Sequence, residues 1–135
     1  MNREILFRGK CVSDSKYAGE WVTGGYVAPD ADCKKRNEGL IVEYFGGNTT
    51  ITYHVDPDTV GEFAGLVDKN GVKIFGGDWV LLEGVGIFNV RYSTSMCQFG
   101  LYGKRGFVDA LKELQEDRYV VVGNVYDNPE LLATK

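Results

Sequence analysis

Apolar residues in this chain come in short runs, and where they alternate with polar ones the period is two. Over Thr49–Val55, Ile51, Tyr53 and Val55 alternate with Thr50, Thr52 and His54. That pattern predicts a strand with the first set on a core face and the second toward solvent. Leu40–Phe45 precedes it across Gly46-Gly47-Asn48, residues that accept the positive φ of a tight turn, so the two runs predict a hairpin. Upstream, Glu4–Arg8 predicts a strand. Glu20–Ala28 predicts another, with a bulge or tight bend at Gly24-Gly25. Pro29 to Gly39 is polar and charged and predicts a loop. Asp56-Pro57-Asp58 closes this part, and Val60–Leu66 predicts a short strand.

The second half repeats the style. Asp68-Lys69-Asn70-Gly71 and Gly76-Gly77-Asp78 predict turns. Trp79–Glu83 and Ile87–Tyr92 predict a second hairpin across Gly84-Val85-Gly86, with Phe88, Val90 and Tyr92 on one face and Asn89 and Arg91 on the other. Gln98–Tyr102 and Tyr119–Tyr126 complete the strands. One stretch carries the helical period instead. From Gly106 to Asp117, Phe107, Leu111 and Leu114 fall at i, i+4 and i+7, which predicts one short inserted helix. Asn128-Pro129-Glu130 has the cap and first-turn residues of a helix start, with Leu131-Leu132 to tack that turn onto the body.

Composition narrows the class. The 18 Gly and eight Tyr suit strands and turns. Residues 1–67 carry seven Lys/Arg against ten Asp/Glu and residues 68–135 eight against nine, which makes up the net charge of -4. Bulk charge therefore supplies no phosphate-neutralising affinity, and nucleic-acid binding would need a local patch. Three cysteines at wide spacing, Cys11, Cys33 and Cys97, are no disulfide framework. The first ten residues lack the apolar run of a signal peptide, and no stretch approaches the roughly 20 apolar residues that span a bilayer. A reducing cytoplasm is the expected location.

Few residues point to chemistry. His54 is the lone histidine. Asp56 and Asp58 are its nearest acids, and an exposed strand histidine beside a turn is the expected outcome. Zinc held by the three cysteines and His54 would lack the close Cys pair of structural sites. Asp68–Gly71 begins like a calcium loop, but its twelfth position is Trp79 rather than Glu. The Gly-rich turns lack the Lys and helix of a phosphate loop, and Ser93, Thr94 and Ser95 sit in no nucleophile elbow. No catalytic, metal or cofactor site is expected. Two surfaces remain. Lys34-Lys35-Arg36 is a basic loop flanked by acids and is expected to be solvated. Tyr92, Phe99, Tyr102, Lys104 and Arg105 bring aromatic rings beside cations, the pairing a base-stacking platform uses.

Two stretches resemble a known family. They are Gly61 to Val80, containing Gly65-Leu66-Val67-Asp68-Lys69-Asn70-Gly71 and Gly77-Asp78, and Tyr119 to Leu132, containing Gly123-Asn124 and Asn128-Pro129-Glu130-Leu131-Leu132. Together with Arg3–Arg8 and Gly19-Glu20-Trp21-Val22 they resemble the YopX family of phage and prophage proteins. Ala64 stands where Thr is usual, Gly76 where Glu often precedes Gly-Asp, and Trp79 where Ile or Val is common. The resemblance implies an SH3-like barrel in the C-terminal part, and it brings no activity or cofactor. Asn70, Gly71, Gly77, Asp78, Asn128 and Pro129 then read as turn and corner residues.

The expected molecule is mainly β, with an N-terminal β unit over residues 1–60 and an SH3-like small barrel over 61–135 carrying one short inserted helix. The expected role is that of a phage or prophage accessory protein in the cytoplasm of a bacterial host. It is expected to bind another macromolecule, a protein foremost and nucleic acid as the alternative, with self-association through open strand edges. An enzyme ranks last.

Overall fold

The computed structural model describes residues 3–12, 16–29 and 38–135. Over these it has eleven strands: β1 (Phe7–Lys10), β2 (Trp21–Val27), β3 (Gly39–Tyr44), β4 (Thr50–Val55), β5 (Gly61–Val67), β6 (Lys73–Phe75), β7 (Asp78–Leu82), β8 (Gly86–Ser93), β9 (Gln98–Gly103), β10 (Gly106–Ala110) and β11 (Tyr119–Asn124). They form two antiparallel sheets, and no barrel closes among the described residues. The chain divides into two units, Met1–Glu62 and Phe63–Lys135. Cys33 and the Lys34-Lys35-Arg36 loop lie outside the described residues.

In the first unit the strand order is β4-β3-β2-β1, and Gly61 and Glu62 at the start of β5 pair with β1. The period-two pattern of β4 is realised: Thr50 and Thr52 are exposed, Ile51 and Tyr53 half-buried and Val55 buried. Gly24-Gly25 mark a change of partner. Trp21 to Gly24 pair with β1, whereas Gly25 to Val27 pair with β3. A Cβ on Gly24 would run into the carbonyl of Val42, so the close approach of backbones at the switch requires glycine. The core is small. Cys11, Ile41 and Val55 are buried, with Phe7, Tyr17, Val22, Tyr26, Tyr53 and Val60 packed around them. Tyrosine rings do much of the covering; Tyr17 meets Tyr53 edge-on with centroids 5.2 Å apart.

In the second unit the remainder of β5 pairs with β6, and the main sheet runs β10-β9-β8-β7-β11. Ile74, Val80, Leu82, Phe88, Val90, Leu101 and Tyr119 form its core. Two buried carboxylates anchor the turns. Asp68 Oδ1 accepts the N–H groups of Asn70 and Val72, both at 2.9 Å, and its Oδ2 accepts that of Val121 at 2.9 Å. One side chain thus shapes the Asn70-Gly71 turn, where Gly71 has φ +79°, and ties it to β11. Asp78 Oδ2 accepts the Phe75 N–H at 2.8 Å across the Gly76-Gly77 corner, where Gly77 takes φ +95°.

The inserted helix expected over Gly106–Asp117 does not form. Residues Gly106–Ala110 are strand β10, and only Glu113–Arg118 wind, as a 3-10 turn. The physical reason is local. Gly106 takes φ +108° and opens a hairpin with β9 across Lys104-Arg105. Phe107 and β-branched Val108 favour the extended state, and a helix of about ten residues has little intrinsic stability against that pairing. Leu111, one member of the helical stripe, still packs against the core.

The expected C-terminal helix turn is also absent. Asn128-Pro129 instead form a single turn closed by Leu131 N–H to the Asn128 carbonyl at 3.1 Å, and Leu132 is 73% exposed rather than docked. Asn128 works backward: its Oδ1 accepts the Asn124 N–H at 3.2 Å and its carbonyl accepts Trp79 Nε1–H at 3.2 Å. Beyond that turn, Thr134 donates its N–H to the Ile87 carbonyl at 3.0 Å, and the Lys135 carbonyl accepts the Lys104 N–H at 2.8 Å.

Candidate binding surface of the second unit

The five residues singled out for a binding surface fall on β8, β9 and the turn between β9 and β10, and the register sorts them. Val90 pairs with Leu101 and Tyr92 with Phe99, whereas Asn89 pairs with Tyr102 and Arg91 with Gly100. Period two therefore places Tyr92 and Phe99 on the core side of the sheet and Tyr102 on the other. Phe99 packs against the core cluster. Tyr92, 49% exposed at the margin, meets Phe99 edge-on at 5.2 Å. The expected group of five is thus two groups.

The outer group gains residues that sequence reasoning passed over. Tyr102 meets the Phe107 ring edge-on at 5.6 Å, and the Arg91 guanidinium lies 5.4 Å from the Tyr102 ring centre. Arg91 is held there by Nε–H donation to Asn89 Oδ1 at 2.8 Å, and buried Asn89 donates from Nδ2 to the Asp78 carbonyl at 3.1 Å. Gly100 leaves the space that Phe107 fills, for a Cβ there would run into the ring. Arg91 was legible in principle from its alternation with Tyr92. Phe107 was hidden by its place in a helical stripe.

At the hairpin end, Lys104, Arg105, Gly106, Phe107, Val108 and Lys135 line an open depression of about 470 Å³. Phe107 and Val108 are exposed there. Among the described residues, Lys104 and Arg105 make no side-chain hydrogen bond or ion pair. The nearest acid along β10 is Asp109, which binds Lys112 Nζ at 3.0 Å. That hydrogen bond holds its carboxyl below the usual value, and the Ala110 N–H adds to the effect.

The remaining candidates resolve as structure. His54 Nδ1 lies 3.1 Å from Glu38 Oε2, not from Asp56 or Asp58. Asp56 caps the 3-10 turn Pro57–Thr59, its Oδ1 accepting the Asp58 N–H at 3.0 Å. Cys11 is buried, and burial raises its thiol above the ordinary value. Cys97 is exposed in a turn. The hydroxyls of Ser93 and Ser95 are 3.2 Å apart, and Ser93 Oγ accepts the Met96 N–H at 3.2 Å. Among the described residues, no group of three or more His, Cys, Asp or Glu side chains could hold a metal ion. No helix there is long and apolar enough to cross a membrane.

These features define a small, two-unit antiparallel β protein whose buried carboxylates and amides are engaged in shaping turns. The chain belongs to the YopX family: the family model for YopX protein matches residues 12–133. No curated protein matches it. Among solved structures it is similar to the crystal structure of protein EF1440 from Enterococcus faecalis, with a TM-score of 0.58 and 21% identity over 96% of this chain and 99% of that one. At that identity the likeness is one of fold. The stretches that carry the family resemblance coincide with the Asp68 turn, the Gly77-Asp78 corner and the Asn128 turn.

Proposed function

We propose that this chain is a phage or prophage accessory protein that acts in the cytoplasm of a bacterial host by binding another macromolecule, a protein foremost. It catalyses no reaction of its own and holds no cofactor. The observation that carries the reading is the hairpin end of β9–β10, where exposed Phe107 and Val108 lie beside two cations that have no side-chain partner among the described residues. Exposed apolar surface is what a partner covers, and the cations beside it favour a partner of opposite charge. The second unit serves as an SH3-like scaffold in this reading, presenting strand edges and turns. The edge of β10, open among the described residues, also suits self-association.

A nucleic-acid role is the second reading, supported by Arg91, Tyr102 and Phe107 on one sheet face with Lys104 and Arg105 at its end. Fluorescence anisotropy with labelled single- and double-stranded DNA and RNA, at low and near-physiological salt, separates the two. The protein-binding reading expects no saturable binding at the higher salt. Saturable binding there would transfer the surface to nucleic acid. Light scattering across concentrations tests self-association, and a 15.0 kDa species at every concentration would end that part of the proposal.

A further inference from the structure

We infer that the hairpin end of β9–β10 receives a short, acidic, extended segment of a partner protein, laid along the open edge of β10. The inference rests on the protein-binding reading above and names the chemistry of the partner. Three observations bear on it. First, β10 ends its sheet, with β9 on one side and no strand on the other among the described residues. An open edge offers backbone donors and acceptors to an incoming strand. The bulge between Phe107 and Asp109 interrupts the ladder, so only a few residues can add.

Second, the charged side chains that line the depression are all basic. Lys104, Arg105 and Lys135 line the depression, no carboxylate side chain joins them, and Asp109 is occupied by Lys112. The protein as a whole carries -4, so this site departs from its surroundings. Third, the floor is apolar as well as aromatic. Phe107 and Val108 suit alternate side chains of an extended peptide.

A polynucleotide fits less well. Arg91 lies over one face of the Tyr102 ring and Phe107 packs against the same ring, so at most one face is left for base stacking. Val108 offers aliphatic contact that a base does not need, and the net negative charge repels a polyanion at long range.

The test is selection of a random ten-residue peptide library on the purified full chain, followed by anisotropy with the enriched peptides and with a labelled oligothymidine. The control is the variant Lys104→Glu/Arg105→Glu, whose folding is checked by circular dichroism. The expected result is enrichment of peptides alternating Asp or Glu with apolar residues. Their affinity should fall at least roughly tenfold in the variant, and peptides with Lys in place of Asp or Glu should then bind the variant. Enriched peptides without acidic residues, or acidic ones indifferent to the variant, would overturn this inference while leaving the protein-binding reading in place. Oligothymidine binding that the variant abolishes, with no peptide enriched, would overturn both. No enrichment and no oligonucleotide binding also overturns the inference.

Discussion

The two units solve the same problem with different means. The first buries three residues fully enough to count as core, Cys11, Ile41 and Val55, and covers them with half-buried tyrosines, Phe7 and valines. The second buries ten hydrophobic residues among those described, seven of them in one cluster with Phe88 and Tyr119, and adds buried Asp68 and Asp78 to its turns. Apolar burial scales with area, and a buried carboxylate that accepts several N–H groups fixes backbone geometry that apolar contact alone leaves loose. The second unit therefore carries the rigid frame, and its candidate surface stands on β10 and the turn before it, paired to β9, whose core-side Leu101 is buried. Surfaces built on rigid strands hold their geometry better than those on loops.

The sharpest way to break this comparison is to remove the frame's largest wholly apolar fully buried side chain. Phe88→Ala should cost about 4 kcal/mol in urea unfolding; a loss below about 1 kcal/mol would mean the second core is not close-packed. Next comes Asp68→Ala, which leaves three backbone N–H groups without their acceptor and should cost about 3 kcal/mol. In the first unit, Gly24→Ala forces a Cβ against the Val42 carbonyl and should cost about 2 kcal/mol, with faster amide exchange in β2 and β3 as the readout. If β7 and β8 lost protection first instead, the first unit would be the firmer one.

Tyr119 gives a smaller effect and a pH dependence. Its buried hydroxyl accepts the Lys112 N–H at 3.0 Å, so Tyr119→Phe should cost about 1 kcal/mol. Burial raises its phenol above the ordinary value of 10.0. The folded state thus keeps a proton that the unfolded chain gives up. Stability from this group is complete below about pH 10 and is lost as pH rises toward the folded value. Burial raises Tyr26 and Tyr53 too, so Tyr119→Phe should reduce, not abolish, the alkaline decline followed by urea unfolding at stepped pH. The smallest effect belongs to Lys104→Glu/Arg105→Glu, exposed turn cations whose reversal should change stability by less than about 0.5 kcal/mol. A larger loss would make them part of the frame rather than a surface.

Much of the strand pattern was legible because a half-buried strand writes its two faces into alternate residues. Ile51, Tyr53 and Val55 read that way, as did Phe88 and Val90. The turns were legible because Asn70-Gly71 and Gly76-Gly77 tolerate backbone angles that other residues resist. The candidate surface was only half legible. Tyr92, Phe99 and Tyr102 looked like one group, yet Tyr92 and Phe99 sit at paired positions of adjacent strands and share a face. Tyr102 pairs with Asn89 and faces the other way, and cross-strand register is invisible in a single run of sequence.

The sequence by itself determined the β character, the positions of most turns and the family to which the chain belongs. Tertiary structure decided three things. It made Phe107 and Val108 a strand, because pairing with β9 satisfies the backbone along the hairpin where a ten-residue helix would be marginal. It brought Arg91, Tyr102 and Phe107 together, since neighbours in a sheet are set by register rather than by distance along the chain. It turned Asn128 from a helix cap into a brace for β11 and Trp79. A cap is a local device, and an amide side chain serves whichever orphaned backbone groups the fold delivers to it.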